Sequence, residues 1–266
     1  MIIPRLDTIK VIEHHYRTGE EPVLAICSDR RNYICKYMRS SSAAYKLVCE
    51  LIGSCMATNW NFETPGIAFV NIQTSHWPKE LPHCENAYSL GSRQHDFVVD
   101  VNPSSLRDIA CTKEALCQLM CIALFDFWVA NEDRNANNAN LLYDVSRQSF
   151  VSIDYGCILN TATFDYPLSQ LTSTDTILYS DLFHGLSQDI DMGTINQIVM
   201  WLSGRYALSV AKCRDEIPFI LSEMPQEWNV SRQIVVDKLQ QLFEPDWLDG
   251  VWKNFVEQLM DNVNHG

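Results

Sequence analysis

Apolar positions along the chain recur with two different periods. Residues 115–130, ALCQLMCIALFDFWVA, set Leu116, Leu119, Met120, Ala123, Leu124 and Phe127 three or four apart, the period of a helix with a broad apolar face. The polar run from Asn131 to Asn138 cannot continue that face and reads as a loop. NLLY and SFVSI follow as two short β-prone runs around DVSRQ, the pattern of a hairpin with a five-residue turn. Upstream, PVLAIC (22–27) and NYICKYM (32–38) read as strands around the turn SDRR. SSAAYKLVCELIGSCMATNW then reads as a helix with a serine N-cap, and GIAFVNI as a further strand. Residues 75–105 mix prolines, serines and turn residues, the composition of a connection. After Asp154 comes a long hydroxyl-rich stretch, YGCILNTATFDYPLSQLTSTDT. INQIVMWLSGRYAL, SRQIVVDKLQQLF and DWLDGVWKNFVEQLM return to the helical period. EIPFILSEMPQEWNV connects two of them, with Pro218 and Pro225 expected to break the pattern, and Trp228, Trp247 and Trp252 are expected to anchor the core.

Polar residues that interrupt these elements carry the chemistry. Asp133 stands five positions before Asn138, and Asp154 closes the hairpin in SIDYG. In a hairpin the start of the first strand lies beside the end of the second, so Asn138 and Asp154 are expected to meet at the open end. A hard cation such as Mg²⁺ takes oxygen ligands and keeps several waters, so one amide oxygen and one carboxylate suffice beside nucleotide phosphates. Asp133, on the loop just before, can accept a hydrogen bond from an incoming hydroxyl. A second pair lies upstream, where Lys36 interrupts a strand and Glu50 sits among Val48, Cys49, Leu51 and Ile52. A carboxylate in such company costs several kcal/mol to bury unpaired, so it calls for a cation. Lys36 is the candidate, with Lys46 competing at i, i+4. A strand lysine that holds phosphates and a helix glutamate that orients it are what ATP-dependent phosphoryl transfer requires.

Aspartate, four residues, asparagine and then a strand-borne aspartate is the protein-kinase arrangement. Its DRN variant here, with Asp126, Trp128 and Asn131 in FDFWVANEDR, resembles the HipA-like kinases, whose fold is related to phosphoinositide 3/4-kinases. The catalytic resemblance spans residues 32–156 with gaps. It implies an α+β, two-lobed protein-kinase-like fold, with a small antiparallel sheet lobe bearing one helix and a larger helical lobe. The chain is then a single domain, 1–80 forming the N-terminal lobe and 81–266 the C-terminal lobe, with the hinge near the start of 75–105. Asp133 takes the role of catalytic base, Asn138 and Asp154 (in DYG) hold Mg²⁺, Lys36 grips the phosphates of ATP and Glu50 positions Lys36. The implied activity is a Ser/Thr protein kinase acting on a protein substrate. Relatives that are toxins in toxin–antitoxin pairs imply an antitoxin or regulatory partner. The phosphate-covering loop falls near HHYRTGEEP, where Gly19 is the one glycine and Glu20 and Glu21 add negative charge. That departure from a glycine-rich loop keeps open a nucleotide-binding pseudokinase acting as an interaction module. A small-molecule or phosphoinositide kinase is the other alternative.

Composition narrows the partners. With 266 residues, 47% hydrophobic and 20% charged, the chain suits one globular domain of ample core. A formal net charge of −13 without a concentrated basic stretch argues against nucleic acid and against an anionic membrane, and favours a soluble substrate. No apolar run is long enough to span a membrane and MIIPRLDTIK lacks a signal peptide's apolar region, so a cytoplasmic location is expected. The ten cysteines show no C-x-x-C and no histidine cluster, and read as buried, reduced thiols.

Overall fold

The computed structural model describes residues 2–15, 21–60, 62–79, 81 and 87–265. The first elements are β1 (Arg5–His15), β2 (Val23–Cys27), β3 (Asn32–Lys36), α1 (Ser41–Ala57), β4 (Ile67–Asn71) and β5 (Ser89–Arg93). The strands close into a barrel in the order β1-β2-β3-β5-β4, whose seam is a parallel pairing of β1 with β4 (Arg5 opposite Phe69). This corrects the expected antiparallel sheet. The strand that closes the barrel is SLGSR, which has too little apolar alternation to be read as a strand and lies beyond residue 80. Its Gly91 is required there: a Cβ would stand 2.8 Å from Val70 Cγ2 and 3.2 Å from Tyr33 Cβ. Ala25, Ala68, Cys27 and Cys35 join Val11, Val23, Val70, Tyr33 and Tyr37 in the barrel's own core, small residues suited to a narrow interior.

The second half is mainly helical. β6 (Val98–Asp100), α2 (Lys113–Val129), β7 (Leu141–Asp144), β8 (Ser149–Ser152) and α3 (Ile158–Ala162) are followed by α4 (Asp181–Ser187), α5 (Met192–Glu223), α6 (Arg232–Gln241) and α7 (Pro245–His265). Helix α2 is capped by Thr112, whose side chain accepts from Ala115 N, and is stopped by Ala130 in the left-handed region. From Leu119 to Val129 every residue is buried, so it is a central helix rather than a one-faced surface helix. Trp60, Phe125 and Trp128 stack and edge-pack around it. Residues of α1 (Ala44, Leu47, Val48, Leu51, Ile52) belong to this larger core, not to the barrel's.

The expected hairpin forms from β7 and β8 in the register Leu141–Ser152, with Asp144 accepting from Ser146 N and Arg147 N to shape the turn. β6 adds a third, antiparallel strand only three residues long, too short to show a period. Helix α5 runs through Pro218 to Glu223, contrary to the expected break there. The lost hydrogen bond at Pro218 is outweighed locally by packing, since Ile217, Phe219, Ile220 and Leu221 on either side join the large core. Trp228 Nε1 donates to Tyr88 O and Trp247 Nε1 to Trp128 O, as anchors do. Among the described residues no helix is long and apolar enough to cross a membrane.

Candidate active site

Lys36 is the last residue of β3, where strand alternation turns it toward α1. Its Nζ donates to Glu50 Oε2 at 3.0 Å and to Asp154 Oδ1 at 2.6 Å. Glu50, on α1, is almost fully enclosed (4% side-chain exposure) and its Oε2 also accepts Tyr155 N at 2.9 Å. One buried carboxylate therefore ties the strand lysine to the backbone of the DYG segment. Asp154 itself adopts φ 59°, a left-handed conformation that aspartate tolerates better than most residues. Burial pushes the Asp154 carboxyl up, but Lys36 alongside outweighs it and holds the group below its ordinary value. Tyr155 fixes this arrangement from below. Its hydroxyl meets Thr64 Oγ1 and Ser152 O, and its Cβ lies where a Cβ on Gly53 of α1 would be only 2.3 Å away. Gly53 is thus the notch that lets DYG pack against α1, one turn beyond Glu50.

The loop after α2 presents Asp133. Its Oδ2 accepts from Asn140 Nδ2 at 2.9 Å, and its backbone N donates to Asn131 Oδ1 at 3.4 Å. Behind it, Arg134 and Asp126 form a fully buried ion pair, and Asn131 Nδ2 donates to the same Asp126 oxygen at 2.8 Å. Burial raises the Asp126 carboxyl, partly opposed by Arg134.

Asn138 is placed differently from the expectation at the hairpin's open end. Asn135 and Asn138 exchange two backbone hydrogen bonds (2.9 and 3.2 Å), a tight turn that leaves Asn138 exposed, with no side-chain hydrogen bond among the described residues. It lines a shallow pocket of about 310 Å³ together with Asp100, Asn102, Asn137 and Asp181. The residue at the open end is Asn140, whose carbonyl accepts from Ile153 N, the neighbour of Asp154. Spacing counted from Asp133 picks out Asn138. Counted back from the apolar strand LLYD, the amide that borders the strand is Asn140. Gly19 lies outside the described residues. Glu21, at the end of that loop, is paired with Arg39 at 2.6 Å.

The segment after DYG is also held by this loop. Glu132, next to Asp133, accepts from Asn160 Nδ2 (2.9 Å) and Thr161 Oγ1 (2.6 Å). Leu159, Asn160, Thr161 and Ala162 all have positive φ, so α3 turns left-handed, a conformation that costs roughly 1–2 kcal/mol per residue. Asn160 offsets part of that cost by pairing with both N and O of Ser169.

A lysine bridging a helix glutamate and a strand-end aspartate, beside a second aspartate on a helix-to-strand loop, is a phosphoryl-transfer constellation. The model of the HipA-like kinase family matches residues 8–245. The chain belongs to the HipA-like kinase family. The crystal structure of a proinflammatory kinase of Helicobacter pylori, CtkA, is similar in fold, with a TM-score of 0.57 at 12% identity, covering 96% of this chain and 99% of that one. No curated protein matches the sequence. As a HipA-like kinase, the chain has its Lys36–Glu50–Asp154 cluster at the junction of barrel, α1 and hairpin, the place where three separate sequence segments converge.

Proposed function

We propose that the protein is an ATP- and Mg²⁺-dependent kinase that phosphorylates a serine or threonine hydroxyl of a soluble, cytoplasmic protein. The observation that carries this is Lys36 held at once by Glu50 and Asp154, which presents an oriented ammonium to nucleotide phosphates. We place the boundary of two lobes after β5, so that nucleotide lies between the barrel and the helical half.

The donors present suit Mg²⁺ rather than a softer metal. Among the described residues no group of three or more His, Cys, Asp or Glu side chains gathers. Asp154 is ionised, keeps Oδ2 without a protein hydrogen bond among the described residues, and is about a third exposed (36%). It and the amide oxygen of Asn140 would hold the ion, as a Mg²⁺ site completed by phosphates and water requires. When bound, the ion neutralises phosphate charge. The protein's part is positioning: Lys36 holds phosphate oxygens, and Asp133 accepts the hydroxyl proton on Oδ1 while Asn140 fixes Oδ2. The negative charge of Glu21 is offset by its pairing with Arg39.

The test is transfer from labelled ATP with Mg²⁺, alone and with cell extract, for wild type, Asp133→Asn and Asp154→Asn. Incorporation by wild type that both variants lose is expected. Equal incorporation by all three, or none by wild type, defeats the kinase reading. Nucleotide-dependent thermal stabilisation without transfer would identify a pseudokinase, and a lipid-acceptor arm separates a phosphoinositide kinase.

A further inference from the structure

We propose that Arg134 is a positioning residue for the Mg²⁺–nucleotide site, its guanidinium fixing the backbone from which Asn140 and Asp154 project. The inference rests on the kinase reading above. Arg134 has no exposed surface, and its fork reaches three elements at once. Nη1 pairs with Asp126 of α2, Nη2 donates to Ile153 O at 2.9 Å, and Nε lies 3.5 Å from Asn140 O. The guanidinium carbon also lies 5.4 Å from the centre of the Tyr155 ring. The two carbonyls it contacts belong to Asn140 and to the residue immediately before Asp154. They are joined to each other by the last hydrogen bond of the hairpin, Ile153 N to Asn140 O at 3.1 Å. One planar cation therefore sets both chain ends from which the proposed ligands project.

Stability does not account for this pair. A buried ion pair can be exchanged for apolar residues of similar volume with little loss, because desolvation offsets the attraction. Here the pair is incompletely satisfied, since Asp126 Oδ2 is buried with no hydrogen-bond partner among the described residues. A lysine supplies the charge but not the fork that spans Asp126 and two carbonyls. Groups one step behind metal ligands typically change metal affinity about 10- to 100-fold when lost.

The experiment measures ATP affinity with EDTA and with Mg²⁺, by calorimetry, for wild type, Arg134→Lys and the apolar double variant Arg134→Met/Asp126→Leu. Thermal unfolding of each protein without nucleotide controls for folding. The expected result is that metal-free ATP binding stays close to wild type in the folded variants, while the gain on adding Mg²⁺ shrinks at least about tenfold. Arg134→Lys shows the same loss, which covers the case of a double variant that fails to fold. A wild-type Mg²⁺ gain in either folded variant overturns the inference and leaves the kinase reading standing. Absence of ATP binding in wild type, with and without Mg²⁺, overturns both.

Discussion

Lys36 donates to two carboxylates in a largely enclosed place, so its removal acts on both. Lys36→Met leaves Glu50, 4% exposed, without this cation. Breaking a buried pair from one side costs about 3 kcal/mol, which lowers Tm by roughly 6–12 °C in a chain of this size, readable by calorimetry. Acid affects the same cluster. The Asp154 carboxyl lies below its ordinary 3.8 because Lys36 outweighs the upward push of burial. Its contribution is fully present above that ordinary value and is lost as pH falls through the depressed one, so Tm should fall more steeply below about pH 4 in wild type than in Asp154→Asn. Asp126, raised by burial, acts with the opposite sign and is relieved by acid. The two asparagines carry different expectations at this scale. Asn140→Ala should cost about 10- to 100-fold in Mg²⁺-dependent transfer, and Asn138→Ala, in an exposed turn, should leave the rate unchanged. The reverse ranking in a steady-state assay would restore Asn138 as the ligand.

Among the elements, α1 shows how one glycine couples packing to the site. In an exposed helix, glycine to alanine gains about 1 kcal/mol from propensity. At Gly53 the new Cβ would meet Tyr155 Cβ at 2.3 Å, a backbone-proximal atom that cannot swing away. Overpacking of that kind costs about 1–3 kcal/mol, so Gly53→Ala should lower stability in a denaturant titration and displace DYG from Glu50. A stabilised Gly53→Ala protein would mean that α1 and Tyr155 are not in contact in solution. The elements that could be read from sequence, β2, β3, α1, β4, α2, the β7–β8 hairpin and helices α5 to α7, are those with several apolar residues at one period. β5 was not readable because Ser89, Gly91 and Ser92 serve closure of the barrel rather than burial of a face. Pro218 misled because local propensity argues for a break that tertiary packing of α5 overrides.

At the scale of the molecule, the site joins three parts of the fold: Lys36 from the barrel, Glu50 from α1 and Asp154 from the hairpin. A ligand seated there adds cross-links between them. ATP with Mg²⁺ at about 100 times its Kd should stabilise the protein by about 2.7 kcal/mol, a rise of roughly 5–11 °C, and Lys36→Met should abolish the rise. A thermal scan with and without nucleotide checks this. The net charge of −13 also sets an expectation for the acceptor, since a basic protein surface is drawn in at low salt and an anionic lipid surface is repelled.

The sequence by itself carried the elements with a clear apolar period and singled out Lys36, Glu50 and Asp154, which meet in the fold, because periodicity and a charge set inside an apolar run are local properties. Only the tertiary structure decided which residues meet. The Asn135–Asn138 turn moves the amide at the hairpin mouth from Asn138 to Asn140. Barrel closure brings β5 between β3 and β4. Burial turns Arg134, one polar residue in an asparagine-rich loop, into the link between α2 and both edges of the hairpin. These are contacts between segments distant along the chain or through tight turns, and residue spacing carries no record of the path the chain takes between them.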